Sequence, residues 1–154
     1  YTDKVIDFIL GIQCGEFGVS ITADDQPDLK NVKEFYQRGG GNFRIALDGE
    51  KVIGTIALIN INNNEVALRK MFVAADYRGK EKGVAQRLIN SEIEWCKEKR
   101  ISTVYLGTLD KMKAAHRFYE KNGFVLTDKL LLPATFPLMA VDTVFYKLSF
   151  NYPG

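Results

Sequence analysis

The chain has 154 residues, 46% of them hydrophobic and 26% charged, a balance that fits one globular domain over residues 1–154 and argues against disorder. Twenty-one basic and 19 acidic residues leave a net charge of +2, too weak to point to nucleic acid. No apolar run approaches the roughly 20 residues that cross a bilayer, so a membrane span is not expected.

The predicted elements begin with a helix from Thr2 to Glu16, where Val5, Ile6, Phe8, Ile9, Leu10 and Ile12 recur at helical spacing. A polar stretch follows to Asp28, which reads as the N-cap of a second helix through Arg38. Gly39-Gly40-Gly41 stops it. Phe43 to Leu47 reads as a strand, and Asp48-Gly49 predicts a type I′ hairpin turn. Lys51 to Ile61 is a second strand, Asn62-Asn63-Asn64 turns the chain, and Glu65 to Val73 is a third. A polar loop from Ala74 to Lys80 leads to a helix from about Lys82 to Lys99. Thr103 to Leu106 is a short strand and Lys111 to Asn122 a helix, with Gly123 in the C′ position that favours a left-handed backbone. Phe124 to Thr127 and Thr143 to Phe150 complete the strands. This order gives an α/β (α+β) fold with a mixed sheet and helices beside it.

The chemistry concentrates where the third strand ends. Met71-Phe72-Val73 is followed by Arg78-Gly79-Lys80-Glu81-Lys82-Gly83 and then by a helix opening at Val84-Ala85. The first amides of a helix lack internal partners and the macrodipole adds partial positive charge, so an anion such as a pyrophosphate is held well there. Gly79 and Gly83 allow close approach of a ligand to the backbone, and Arg78, Lys80 and Lys82 supply charge. The competing reading is a solvated basic loop that only joins strand to helix. Neither a P-loop nor a dinucleotide-binding G-x-G-x-x-G is present.

Lys80-Glu81-Lys82-Gly83-Val84-Ala85 resembles the [QR]-x-x-G-x-[GA] signature of the GNAT superfamily of acyl-CoA-dependent N-acetyltransferases, with Lys80 where Gln or Arg is usual. Ala115-His116-Arg117-Phe118-Tyr119-Glu120-Lys121-Asn122-Gly123-Phe124 resembles a second family motif, A-x-x-[LF]-Y-E-K-x-G-F. Val52-Ile53-Gly54 is similar to the family's V-[VI]-G strand. The resemblance covers nearly all of Thr2 to Phe150. It implies a mostly antiparallel central sheet flanked by helices, with the first strand lying before Tyr1. It implies acetyl-CoA as cosubstrate, held by Met71, Phe72, Val73, Arg78, Gly79, Lys80, Lys82, Gly83, Val84 and Ala85. It implies Tyr119 as the acid that protonates the departing CoA thiolate, after direct attack by an amine with no covalent enzyme intermediate. One departure is Met112, where many relatives carry Asn.

The acceptor side is less defined. Some relatives place a Glu base at the position of Ala67, which cannot serve. Glu65 shares that strand face by period-2 alternation, and Glu16 lies where a cationic acceptor could meet it. Each is equally a solvated charge. His116 sits one helical turn before Tyr119, facing either the CoA phosphates or the core rim. Cys14 and Cys96 show neither CxxC nor zinc spacing, and with one histidine they argue against a disulfide and a metal site and for a reducing cytoplasm. The expected partner is a small-molecule or peptide amine, with no nucleic acid and no membrane. A homodimer is an expectation from the apolar segment Leu130 to Leu138. The opposing functional reading is an acyl-CoA-binding sensor or scaffold without turnover. The chain opens on Tyr1 in place of Met, so its native beginning is expected further upstream.

Overall fold

In the computed structural model, which describes residues 2–16, 28, 36, 39–79, 82–139 and 141–152, six strands are hydrogen-bonded in the order β1-β2-β3-β4-β6-β5. They are β1 (Asn42–Asp48), β2 (Lys51–Asn60), β3 (Glu65–Val73), β4 (Thr103–Thr108), β5 (Val125–Thr127) and β6 (Val144–Ser149). The helices are α1 (Thr2–Leu10), α2 (Val84–Glu98) and α3 (Lys113–Lys121). The sheet is mixed: β1–β2, β4–β6 and β5–β6 are antiparallel and β3–β4 is parallel. This is the α/β class the element order implies. The predicted helix over 28–38 lies outside the described residues except for Asp28 and Tyr36.

By contact density the chain forms two compact units, Tyr1–Ile59 with Arg69–Trp95, and Asn60–Leu68 with Cys96–Gly154. In the first, α1 buries Val5 and Ile9 against Val52, with Phe43, Ile45 and Phe72 around them. The helix expected to reach Glu16 as one α-helix instead widens into a π-helical turn over Gly11–Glu16. Gly11 and Gly15 are poor helix formers and relax the four-residue hydrogen-bond ladder there. β2 is buried on both faces from Val52 to Leu58. At Gly54 a Cβ would stand 2.9 Å from Leu88 Cδ1, 3.3 Å from the Phe72 carbonyl oxygen and 3.3 Å from Val84 Cγ1. The missing side chain therefore lets the first turns of α2 lie on β2, which fixes where that helix begins.

The β1–β2 turn sits one residue later than predicted. Asp48 pairs with Lys51, so Gly49 and Glu50 are its centre, and only Gly49 has positive φ, +61°. That is the requirement of a type II′ turn and not of type I′.

In the second unit, β4 alternates with Val104, Leu106 and Thr108 buried. Asn62, Asn63 and Asn64 all take positive φ at the turn into β3, a conformation asparagine tolerates better than most residues. α3 ends as the sequence predicts. Gly123 has φ +92°, its amide bonds the Glu120 carbonyl at 3.1 Å, and the Phe124 amide bonds the Tyr119 carbonyl at 3.1 Å. That pair of bonds is a Schellman motif.

Candidate active site

The end of β3 is fastened to its neighbour by the Ala74 amide, which donates to the Ile53 carbonyl at 2.8 Å. Val73 is buried, while Met71 and Phe72 are half-buried. A 3₁₀ turn, Ala75–Tyr77, then reverses the chain. Two side chains brace this corner. Arg78 Nε donates to the Val73 carbonyl at 2.8 Å. The Tyr77 hydroxyl donates to the Asp48 carboxylate on the hairpin, with Lys51 Nζ 5.9 Å from the Tyr77 ring centre.

The glycines then set the approach to α2. Gly79 has φ +107° and Gly83 φ +67°, and the Lys82 and Gly83 amides both turn in on the Gly79 carbonyl, at 3.3 and 3.2 Å. The Val84 and Ala85 amides open α2, whose first amides point out of the helix by its geometry, and the Arg87 amide bonds the Gly83 carbonyl at 3.0 Å. No acidic side chain stands in this first turn to compete for those amides. Arg87 was not singled out in the sequence, yet its guanidinium folds back on the Lys82 and Gly83 carbonyls at 3.1 and 3.3 Å. Its position four residues after Gly83 is the signal that could have found it. Strand end, loop, Gly83 and helix start thus lie together in one unit. Lys80 and the side chain of Glu16 lie outside the described residues.

The same strand holds a feature the sequence did not announce. Lys70 has a left-handed backbone, φ +55°, and its carbonyl accepts from the buried Thr55 hydroxyl at 2.6 Å. Its Nζ lies 3.8 Å from Asp28 Oδ2, and the Tyr36 hydroxyl donates to that same oxygen.

In the second unit Tyr119 is buried in α3, with ring centres 5.6 Å from Phe124 and 6.1 Å from Tyr146. Burial, and after it the Asp142 carboxylate, pushes the phenol well above its ordinary value, so it stays protonated. His116 belongs to the core rim: Nε2 donates to the Leu109 carbonyl at 2.9 Å and the ring lies against Tyr146. Met112 caps α3 without a side-chain bond to the backbone, and its sulfur accepts from the Thr108 hydroxyl at 3.7 Å.

The parallel β3–β4 ladder has three pairs, Glu65–Ala67 with Thr103–Tyr105, so β3 runs on beyond it toward Val73. Ala67 is fully buried. Glu65 starts the strand, at the opposite end from Val73, and accepts from the Tyr105 hydroxyl at 3.2 Å. That placement fits a structural carboxylate better than a base. Among the described residues no three metal-ligating side chains gather, and no helix is long and apolar enough to cross a membrane.

The profile of the acetyltransferase (GNAT) family matches residues 7–124. N-acetylaspartate synthetase of Xenopus tropicalis is 35% identical over 99 residues, 63% of this chain and 36% of that protein, so the match spans about a third of that relative's length. A GNAT-family acetyltransferase of Staphylococcus aureus Mu50 superposes with a TM-score of 0.92 at 42% identity, over 97% of this chain and 92% of its own. A putative streptothricin acetyltransferase of Bacillus anthracis, solved with acetyl coenzyme A, gives 0.61 at 29% identity over 77% and 67%.

Proposed function

The chain belongs to the acetyltransferase (GNAT) family, and from that premise we propose that it moves an acetyl group from acetyl-CoA to a primary amine by direct attack, with Tyr119 as proton donor. The observation that carries the reading is the sequence of strand end, left-handed Gly79 and Gly83, and a helix start with no acidic side chain in its first turn. A relative of the same fold was solved with acetyl coenzyme A.

The site's chemistry suits the cosubstrate. Its pyrophosphate would meet the amides from Val84 on, with the cations of Arg78, Lys80 and Lys82 around it. Amides from Met71 to Val73 would hold the acyl arm and polarise the thioester carbonyl as it gains charge. Acetyl-CoA supplies the activated acyl group, and everything else is positioning and proton handling by the chain. Tyr119, kept protonated by burial, donates to the sulfur as the C–S bond breaks. A phenol raised above its usual value is a weak acid beside a thiol, so most of its help is a hydrogen bond to the developing thiolate.

The acceptor is a small-molecule or peptide amine, and residues 1–154 act as one catalytic domain. A reducing compartment, the cytoplasm, fits an exposed Cys14 and a buried Cys96 with no disulfide between them. A second copy of the chain is the proposed partner of the exposed Leu130 and Leu131, and light scattering in solution tests it. The reaction itself is tested by CoA release from acetyl-CoA over a panel of amines. Acetyl-CoA binding without release for any amine would favour a sensor.

A further inference from the structure

An amine attacks a thioester only when neutral, so an acceptor arriving as an ammonium must first lose a proton. Neither carboxylate position suggested by the sequence provides for this: Ala67 has no acid, and Glu65 sits at the far end of β3 bonded to Tyr105. β3 does carry an ionisable amine beside the proposed acyl-binding residues, Lys70, immediately before Met71.

Its setting is built. The backbone at Lys70 is left-handed, φ +55°, in place of extended, and its carbonyl accepts from the buried Thr55 hydroxyl at 2.6 Å. The lysine side chain is 7% exposed and lies 3.8 Å from the carboxylate of Asp28, 5% exposed. Tyr36, itself wholly buried, donates to that carboxylate, and burial raises its phenol so that it remains a donor. Of the charged groups acting on Lys70, Asp28 favours its ammonium and Arg69 opposes it.

We propose that Lys70 is the general base of the acetyl transfer: its neutral amine takes a proton from the acceptor ammonium, and Asp28, held by Tyr36, balances the charge Lys70 then carries. The proposal rests on the acetyl-transfer reading above. Burial outweighs the pull of Asp28 and brings Lys70 down to about 8, so a useful fraction is neutral at physiological pH. The protons balance. The acceptor nitrogen loses one proton to Lys70, its lone pair forms the new C–N bond, and the thioester π electrons move to oxygen. On collapse the C–S pair leaves with sulfur, which gains a proton through Tyr119. The second proton lost by nitrogen restores that donor through water, and Lys70 returns its own to solvent.

The test joins a titration to kinetics. The 13Cε resonance of Lys70, assigned by its loss in Lys70→Met, is followed by NMR against pH in the wild-type protein and in Asp28→Asn. The log of kcat is measured across the same range with an amine found by the panel. The expected midpoint is about 8 in the wild type, lower in Asp28→Asn, and the rising limb of kcat moves with it. Lys70→Arg keeps the charge but cannot give up its proton, so kcat should fall by roughly 10²–10⁴-fold with the limb gone. A Lys70 midpoint near the ordinary lysine value, a limb that ignores Asp28→Asn, or rescue by arginine would overturn the proposal. The titration needs no variant enzyme to be active. A wild-type protein that binds acetyl-CoA and releases no CoA with any amine would overturn the acetyl-transfer reading, and the base role with it.

Discussion

Arg78 Nε donates to the carbonyl of Val73 at 2.8 Å, so the cation that opens the basic loop is bound back to the last residue of β3. Strand end and loop are thereby one rigid corner. Arg78→Met should loosen that corner as well as remove charge. The expected result is acetyl-CoA affinity weakened by roughly tenfold, the scale of one charge-assisted hydrogen bond. Calorimetry on the folded variant measures it, and an unchanged Kd would mean that Arg78 is neither brace nor ligand.

Gly83 separates backbone strain from charge. At φ +67° any side chain is strained, by about 1–2 kcal/mol. Gly83→Ala should therefore lower the unfolding midpoint and retain measurable acetyl-CoA binding. Gly83→Asp adds a negative charge beside the proposed pyrophosphate and should abolish binding. Equal binding by folded Asp and wild-type proteins would place the pyrophosphate elsewhere.

Glu92 gives a pH-dependent prediction. Its Oε1 accepts from Asn42 Nδ2 at 2.7 Å and Arg44 Nε at 3.1 Å, while Oε2 is buried with no partner among the described residues. Burial, only partly offset by those two donors, raises the carboxyl above its ordinary value. The native state then holds a proton the unfolded state has lost, so this group's contribution falls as pH rises above the ordinary carboxylate range. Glu92→Gln removes that titration. Urea denaturation should show the wild-type protein losing stability from pH 5 toward neutrality relative to Glu92→Gln. Parallel pH profiles would show that Glu92 is ionised without cost.

Much of this arrangement is written locally, and the rest is not. Gly83, Gly79 and Gly123 are legible because a positive φ leaves a glycine in the sequence, and the Tyr119 motif is contiguous on one helix. The glycine-rich loop proposed to hold the pyrophosphate and the boundaries of β3 follow from such short-range signals. The π-helical turn at Gly11–Glu16 escapes a periodicity argument, because π and α spacing differ little over six residues. The type II′ turn differs from the predicted I′ by a one-residue shift in strand pairing, which register across β1 and β2 decides. Asp28, Tyr36 and Lys70 form a cluster only because the fold brings Lys70 of β3 to two residues much earlier in the chain, of which Asp28 reads in the sequence only as an N-cap.

Tyr119→Phe keeps the ring packing against Phe124 and Tyr146 and removes the donor. We expect kcat to fall by roughly 10- to 1000-fold, around the range of general acid catalysis, with acetyl-CoA affinity little changed. Wild-type turnover with chemistry limiting would make Tyr119 structural. A parallel loss of affinity would make it a cofactor anchor.

The central claim is that this chain transfers acetyl groups, and the most direct measurement is thiol release from acetyl-CoA by the purified protein. The panel should include amino acids, polyamines and peptide N-termini, each with mass analysis of the product. CoA release should depend on one class of amine, with the matching product heavier by one acetyl group, and both should be lost in Gly83→Asp. Tight acetyl-CoA binding with neither thiol release nor acetylated amine across the whole panel would contradict the claim.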